Sequence, residues 1–126
     1  MKNPNLLKSF QFAINGIRSA WNRERNFRIH CWISLTVLIL SVILQLNAVQ
    51  WCMILFCIGS VFSMELINTS IESMVDLVSP EHSELARIAK DSSAGAVLCV
   101  TIMSVIVGCI ILVPLLIETV SRLMIE

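Results

Sequence analysis

Glycine is scarce in this chain: Gly16, Gly59, Gly95 and Gly108 are the only four, and they lie far apart. There is no GxxxxGK loop followed by Ser or Thr, no GxGxxG turn and no kinase catalytic-loop pattern. Any nucleotide must therefore be held without a phosphate-cradling backbone loop. Charged residues make up only 14% of the chain and balance, nine Lys and Arg against nine Asp and Glu, so nothing points to nucleic acid as a partner. The five cysteines, Cys31, Cys52, Cys57, Cys99 and Cys109, form no CxxC pair and no His-containing metal pattern, and they read as small buried hydrophobes. Internal repeats, low-complexity tracts and Gly/Ser linkers are also missing, which leaves one domain, 1–126.

What fills the space is apolar. At 56% hydrophobic residues and a mean hydropathy of +0.82, the chain is too greasy for an ordinary soluble domain and reads as an integral membrane protein. Three runs, 29–46, 48–67 and 94–117, are each near the roughly 20 helical residues that cross a bilayer core of about 30 Å. They lack strand alternation, and only helices or closed barrels satisfy a backbone in lipid, so the spans are helices and the fold class is all-α.

The ends of these spans differ in charge. Lys2, Lys8, Arg18, Arg23, Arg25 and Arg28 precede the first, the connection near Asn47 has no Lys or Arg, and Arg87 and Lys90 lie between the second and third. By the positive-inside rule the N-terminus and the second loop face the cytoplasm, which makes this a multi-pass protein of the cell membrane. The leading segment is too long and too charged for a signal peptide, and no A-x-A-like cleavage site follows the first apolar run.

Leu6, Leu7, Phe10, Ile14, Ile17 and Trp21 recur at helical spacing with polar residues between them, which predicts an amphipathic surface helix over about 5–27. The second span continues past the membrane boundary, because Ile71, Met74, Val75 and Val78 keep its period and extend it to about 48–78. Ser79 followed by Pro80 is a helix-start signal. It predicts a short surface helix leading through Lys90 and Asp91 into a third span over about 92–118.

Four polar residues interrupt the extended second helix. At 100° per residue, Glu65, Asn68, Glu72 and Asp76 fall within an arc of about 80°, a single stripe. Ionisable groups at membrane depth cost a few kcal/mol even on mild scales, so they face a bundle interior or a cavity and serve a function. Glu24, at the end of the amphipathic helix, and Lys90-Asp91, ahead of the third span, belong at the same level. Glu24 and Glu72 are hard oxygen ligands suited to Mg²⁺, which takes one or two carboxylates plus phosphate oxygens. Lys90 offers charge for a phosphate, and Glu65, the deepest carboxylate, can act as general base on a lipid hydroxyl. Glu81, His82 and Glu84 read as solvated, and His30 as an interfacial residue without a role. A non-enzymatic ion conductor is the competing class, but its polar groups would continue towards the outer leaflet, where the spans hold only scattered Ser, Thr, Gln and Asn.

The segment "ELINTSIESMVDLVSPEHSELARIAKDSSAGAVL" resembles the signature of the small prokaryotic diacylglycerol kinase family, through E-x-x-N-T-x-x-E-x-x-x-D followed by A-K-D. The likeness extends to "SFQFAINGIRSAWNRERNFRIH" and covers most of the chain. Members phosphorylate diacylglycerol or, in many bacteria, undecaprenol. The resemblance implies a homotrimer of three-span protomers with an N-terminal surface helix and with sites formed at protomer contacts. It further implies ATP as co-substrate and Mg²⁺ held by Glu24 and Glu72. Asn68, Asp76, Lys90 and Asp91 would bind or orient the nucleotide, and Glu65 would be the base. "AGAVL" and "NFRIH" are similar to the undecaprenol kinase branch. The diacylglycerol kinase branch has serine at the position of Ala94 and a basic residue near that of Asn5, and remains the alternative. Ser70, Ser92 and Ser93 stand where small residues are common and are expected only to leave the site undisturbed.

Overall fold

The computed structural model describes residues 5–79 and 83–125, and these form four helices and no strand. Helix α1, Leu6–Arg23, is amphipathic; only Ala20 is buried, and Leu6, Leu7 and Phe10 are left on its open face. One extended residue, Glu24 (φ −96°, ψ 116°), separates α1 from α2, Arg25–Ile43. It ends one helix and caps the next. Its N–H donates to the Ala20 carbonyl, while the Arg28 guanidinium reaches back to the carbonyls of Trp21 (2.9 Å) and Asn22 (3.3 Å). A cation on the last carbonyls of a helix meets the negative end of its dipole, which holds this corner sharp.

At the far end of α2 the chain turns within four residues. Gln45 takes the left-handed conformation (φ 53°), and Asn47 then caps α3, Ala48–Val78. The cap is reciprocal: the Gln50 N–H donates to Asn47 Oδ1 and the Asn47 N–H to Gln50 Oε1, both at 3.0 Å. With 31 residues α3 is about 46 Å long, well beyond a bilayer core. Its last turn closes on Ser79, whose N–H donates to the Val75 carbonyl.

Helix α4, Glu84–Ile125, starts on a cap of its own, because Ser83 Oγ accepts from the Ala86 N–H at 3.1 Å. The start expected at Ser79-Pro80 lies partly outside the described residues, and the short surface helix expected ahead of the third span is not separate. From Glu84 the backbone runs on without a break through Lys90 and Asp91, and through Pro114, to Ile125. Ala, Lys, Arg and Leu favour the helix across the expected junction, and no Pro or Gly stands between Glu84 and Ser93 to interrupt it.

Helices α3 and α4 form the main antiparallel pair, α2 lies against α3, and α1 folds onto the ends of α2 and α3. At the turn end, Leu44, Leu46 and Ile54 meet Ile111 and Leu112. At the other end the Phe27 and Phe62 rings meet at 5.5 Å, tilted by 39°, and Ala20 is buried. Most large apolar side chains point outward, Trp32 and Phe56 among them, as expected where the surroundings are hydrocarbon. This corrects the reading of the cysteines. None is buried within the chain: Cys52, Cys99 and Cys109 are exposed on its surface, and all five are free thiols.

Candidate functional site

The stripe on α3 becomes a graded series. Glu65 is 3% exposed and Asn68 9%, Glu72 is half-buried and Asp76 is exposed. At 1.5 Å per residue the series spans about 16 Å along the axis, from the protein interior to the end of α3 near Val78.

Each member has a partner supplied by another element or by the next turn. His30 on α2 brings Nε2 to 3.1 Å from Glu65 Oε1. The Asn68 amide is used at both ends, donating from Nδ2 to Glu72 Oε1 at 3.0 Å and accepting at Oδ1 from the Ser93 hydroxyl at 2.6 Å. Ser93 Oγ also lies 2.9 Å from the Lys90 carbonyl. One turn beyond, Lys90 Nζ meets Asp76 Oδ1 at 2.5 Å. Helix α4 thus contributes Ser93 and Lys90 to the stripe, one turn apart on the same face.

Asp91, next in sequence to Lys90, is turned about 100° away from it. Its Oδ2 accepts from Arg87 Nη1 at 2.6 Å, and Arg87 also binds Glu84 on the outer side of α4. The Arg87 hydrogen bond holds the exposed Glu84 carboxyl below the usual carboxylate range. Six of the seven residues singled out from the sequence therefore lie along or beside one line, while Asp91 faces away. Glu24 stands at the α1–α2 corner, about one turn ahead of Phe27, whose ring meets Phe62 on α3.

His30 and Ser93 belong to the site although the sequence reading gave neither a role. For Ser93 a signal existed, since it stands three residues after Lys90 and shares its helical face. For His30 none did, because nothing in the period of α2 says what it meets on α3.

Among the described residues no group of three or more His, Cys, Asp and Glu side chains converges as a ligand set. What the sequence reading offers a metal is two carboxylates, Glu24 and Glu72, with the Lys90 ammonium for a phosphate. That suits a hard divalent ion arriving with phosphate oxygens rather than one caged by protein alone. Next to the stripe, α2, α3 and α4 enclose an apolar groove of about 340 Å³. On α2 its lining runs from His30 through Ile33 and Val37 to Leu40, so it begins at the level of the Glu65 pair and descends along the helices.

The family model for prokaryotic diacylglycerol kinase matches residues 11–112. The chain is 42% identical to the undecaprenol kinase of Bacillus subtilis over 107 residues, which is 85% of this chain and 87% of that protein. It is 45% identical to a diacylglycerol kinase of Synechocystis over 115 residues, 90% of this chain and 66% of that protein. To the diacylglycerol kinase of Escherichia coli it is 31% identical over 85% of this chain and 88% of the relative. Each aligned region takes in the greater part of the membrane helices.

Proposed function

Because the chain belongs to the prokaryotic diacylglycerol kinase family and is a lipid phosphotransferase, we propose that it moves the γ-phosphate of MgATP to the hydroxyl of undecaprenol. The observation that carries this reading is the graded stripe. A buried carboxylate, Glu65, stands beside an apolar groove, and a solvent-accessible ammonium, Lys90, stands towards the other end of the same stripe.

The residues divide by depth. The lipid alcohol approaches from the bilayer and offers its hydroxyl to Glu65, which accepts the proton as the oxygen attacks the γ-phosphorus. The bond from phosphorus to the bridging oxygen breaks, and ADP leaves with that electron pair. Lys90 exchanges Asp76 for a phosphate oxygen, and Asn68, Asp76 and Asp91 orient the nucleotide. Glu24 and Glu72 would hold Mg²⁺, which would supply charge to offset that of the phosphates. Catalysis is then positioning and charge neutralisation, as phosphoryl transfer requires.

The positive-inside charge pattern puts this end of the helices, and MgATP, on the cytoplasmic side. The whole chain, 1–126, acts as one membrane-embedded kinase domain that works as a homotrimer, and Asp91 takes its place in the site across a protomer contact.

Undecaprenol is favoured by "AGAVL" and "NFRIH", which are similar to the undecaprenol branch, and by the likeness to the Bacillus subtilis enzyme. Diacylglycerol is the second reading, favoured by the 45% identity to the Synechocystis enzyme. Labelled γ-phosphate transfer by the purified protein in mixed micelles, offered both alcohols side by side, tests the assignment. The expected result is faster labelling of undecaprenol. Preferential labelling of diacylglycerol exchanges the two readings, and labelling of neither overturns both.

A further inference from the structure

His30 touches both the groove and the deepest member of the stripe. Its ring lines the groove, whereas Glu65 does not, and its Nε2 lies 3.1 Å from Glu65 Oε1. The Glu65 side chain is 3% exposed, so water does not fix its orientation. From α4 the groove wall near the ring carries the hydroxyls of Thr101 and Ser104 and, lower, the Cys109 thiol, but no charged group.

We propose that His30 is the positioning residue for the acceptor end of this site: its ring N–H holds one oxygen of Glu65 and leaves the other directed at the incoming alcohol. The inference rests on the phosphotransfer reading above. A glutamate carboxylate on three torsions reaches a hydroxyl in many orientations, few of which are productive, and misplacing a reacting group by about 1 Å costs about 10²-fold in rate. A donor on a neighbouring span removes that freedom. Because the ring also borders the groove, any alcohol that reaches Glu65 from the groove passes its edge, so lipid binding and carboxylate orientation meet at one side chain.

The test compares His30→Gln and His30→Leu with the unaltered protein, as full chains in mixed micelles. Glutamine keeps an N–H donor of similar reach; leucine keeps bulk alone. The expected result is a kcat lowered about 10²-fold in H30L and largely restored in H30Q, with KM for MgATP changed less than about threefold in either. A second measurement needs no turnover: the ¹⁵N resonances of the His30 ring in the otherwise unaltered protein should move when Glu65 is replaced by Gln. An H30L protein with undiminished kcat overturns the proposal, as does equal loss in both variants, and so do ring resonances that ignore E65Q. If the unaltered protein phosphorylates neither alcohol, the phosphotransfer reading itself falls; if it is active while the His30 variants match it, only the role of His30 falls.

Discussion

Lys90 on α4 and Asp76 on α3 are joined across the helix pair, Nζ to Oδ1 at 2.5 Å. Both side chains keep access to solvent, 38% and 67% exposed, and an ion pair so placed contributes no more than about 1 kcal/mol. The ammonium can therefore leave Asp76 for a phosphate at small cost. Lys90→Met should lower kcat/KM for MgATP on the order of 10²- to 10³-fold, the size of effect seen when a preorganised charge is removed. The thermal unfolding midpoint in micelles should hardly move. Steady-state kinetics together with a melting curve checks the pair of outcomes.

Ser93 presents the opposite case, a small group with a structural task. Its hydroxyl is the donor to Asn68 Oδ1, and both residues are nearly closed off, at 7% and 9% exposed. Ser93→Ala leaves the amide oxygen of Asn68 buried without that donor, a loss of about 1–3 kcal/mol. The stripe should loosen where Asn68 braces Glu72, so thermal stability and activity fall together, unlike in K90M. A parallel melting and activity series on the two variants separates the cases.

How far this could be read from residues alone depended on whether a relation lay within one helix or between two. Glu65, Asn68, Glu72 and Asp76 share an arc because α3 is regular, and the period already contains that fact. The end of α3 at Val78 follows from the same period. His30 facing Glu65 and Ser93 facing Asn68 depend on how far one helix slides and turns against another, which no single period encodes. Ser83 caps the described part of α4, while the start expected at Ser79-Pro80 lies partly outside the described residues. The cysteines were misplaced because burial in a bundle was assumed, whereas three spans packed mainly through one helix pair leave most of their faces outward.

The turn before α3 sets two local effects against each other. Asn47 caps the helix through the reciprocal bonds with Gln50, and replacing such a cap by Ala costs about 1 kcal/mol. Gln45, at φ 53°, sits where a residue with a Cβ is disfavoured. Asn47→Ala should lower the unfolding midpoint and Gln45→Gly should leave it unchanged or raise it, with transfer activity intact in both. Chemical or thermal unfolding in a fixed detergent measures the difference in sign.

Thr101 lies on α4 in the groove wall, and its Oγ1 is buried without a hydrogen-bond partner among the described residues. Valine has nearly the same shape and no hydroxyl to desolvate. Thr101→Val should therefore stabilise the protein by about 1 kcal/mol. A lower midpoint in T101V would instead assign the hydroxyl a partner, and a changed KM for the lipid with an unchanged midpoint would make that partner the substrate.

Glu65 bears the sharpest prediction, since depth separates it from the groups assigned to the nucleotide. Glu65→Gln keeps the size of the side chain but cannot accept the hydroxyl proton, so kcat should fall on the order of 10²- to 10⁴-fold. Asn68, Glu72, Asp76 and Lys90 keep their mutual bonds in that variant, because none of these bonds involves the Glu65 side chain. Affinity for MgATP, measured by calorimetry on the micellar protein, should therefore stay within about threefold of the unaltered protein. A variant that binds MgATP and still transfers phosphate would move the base elsewhere. A variant that no longer binds it would mean that Glu65 acts on the nucleotide, contrary to the division by depth.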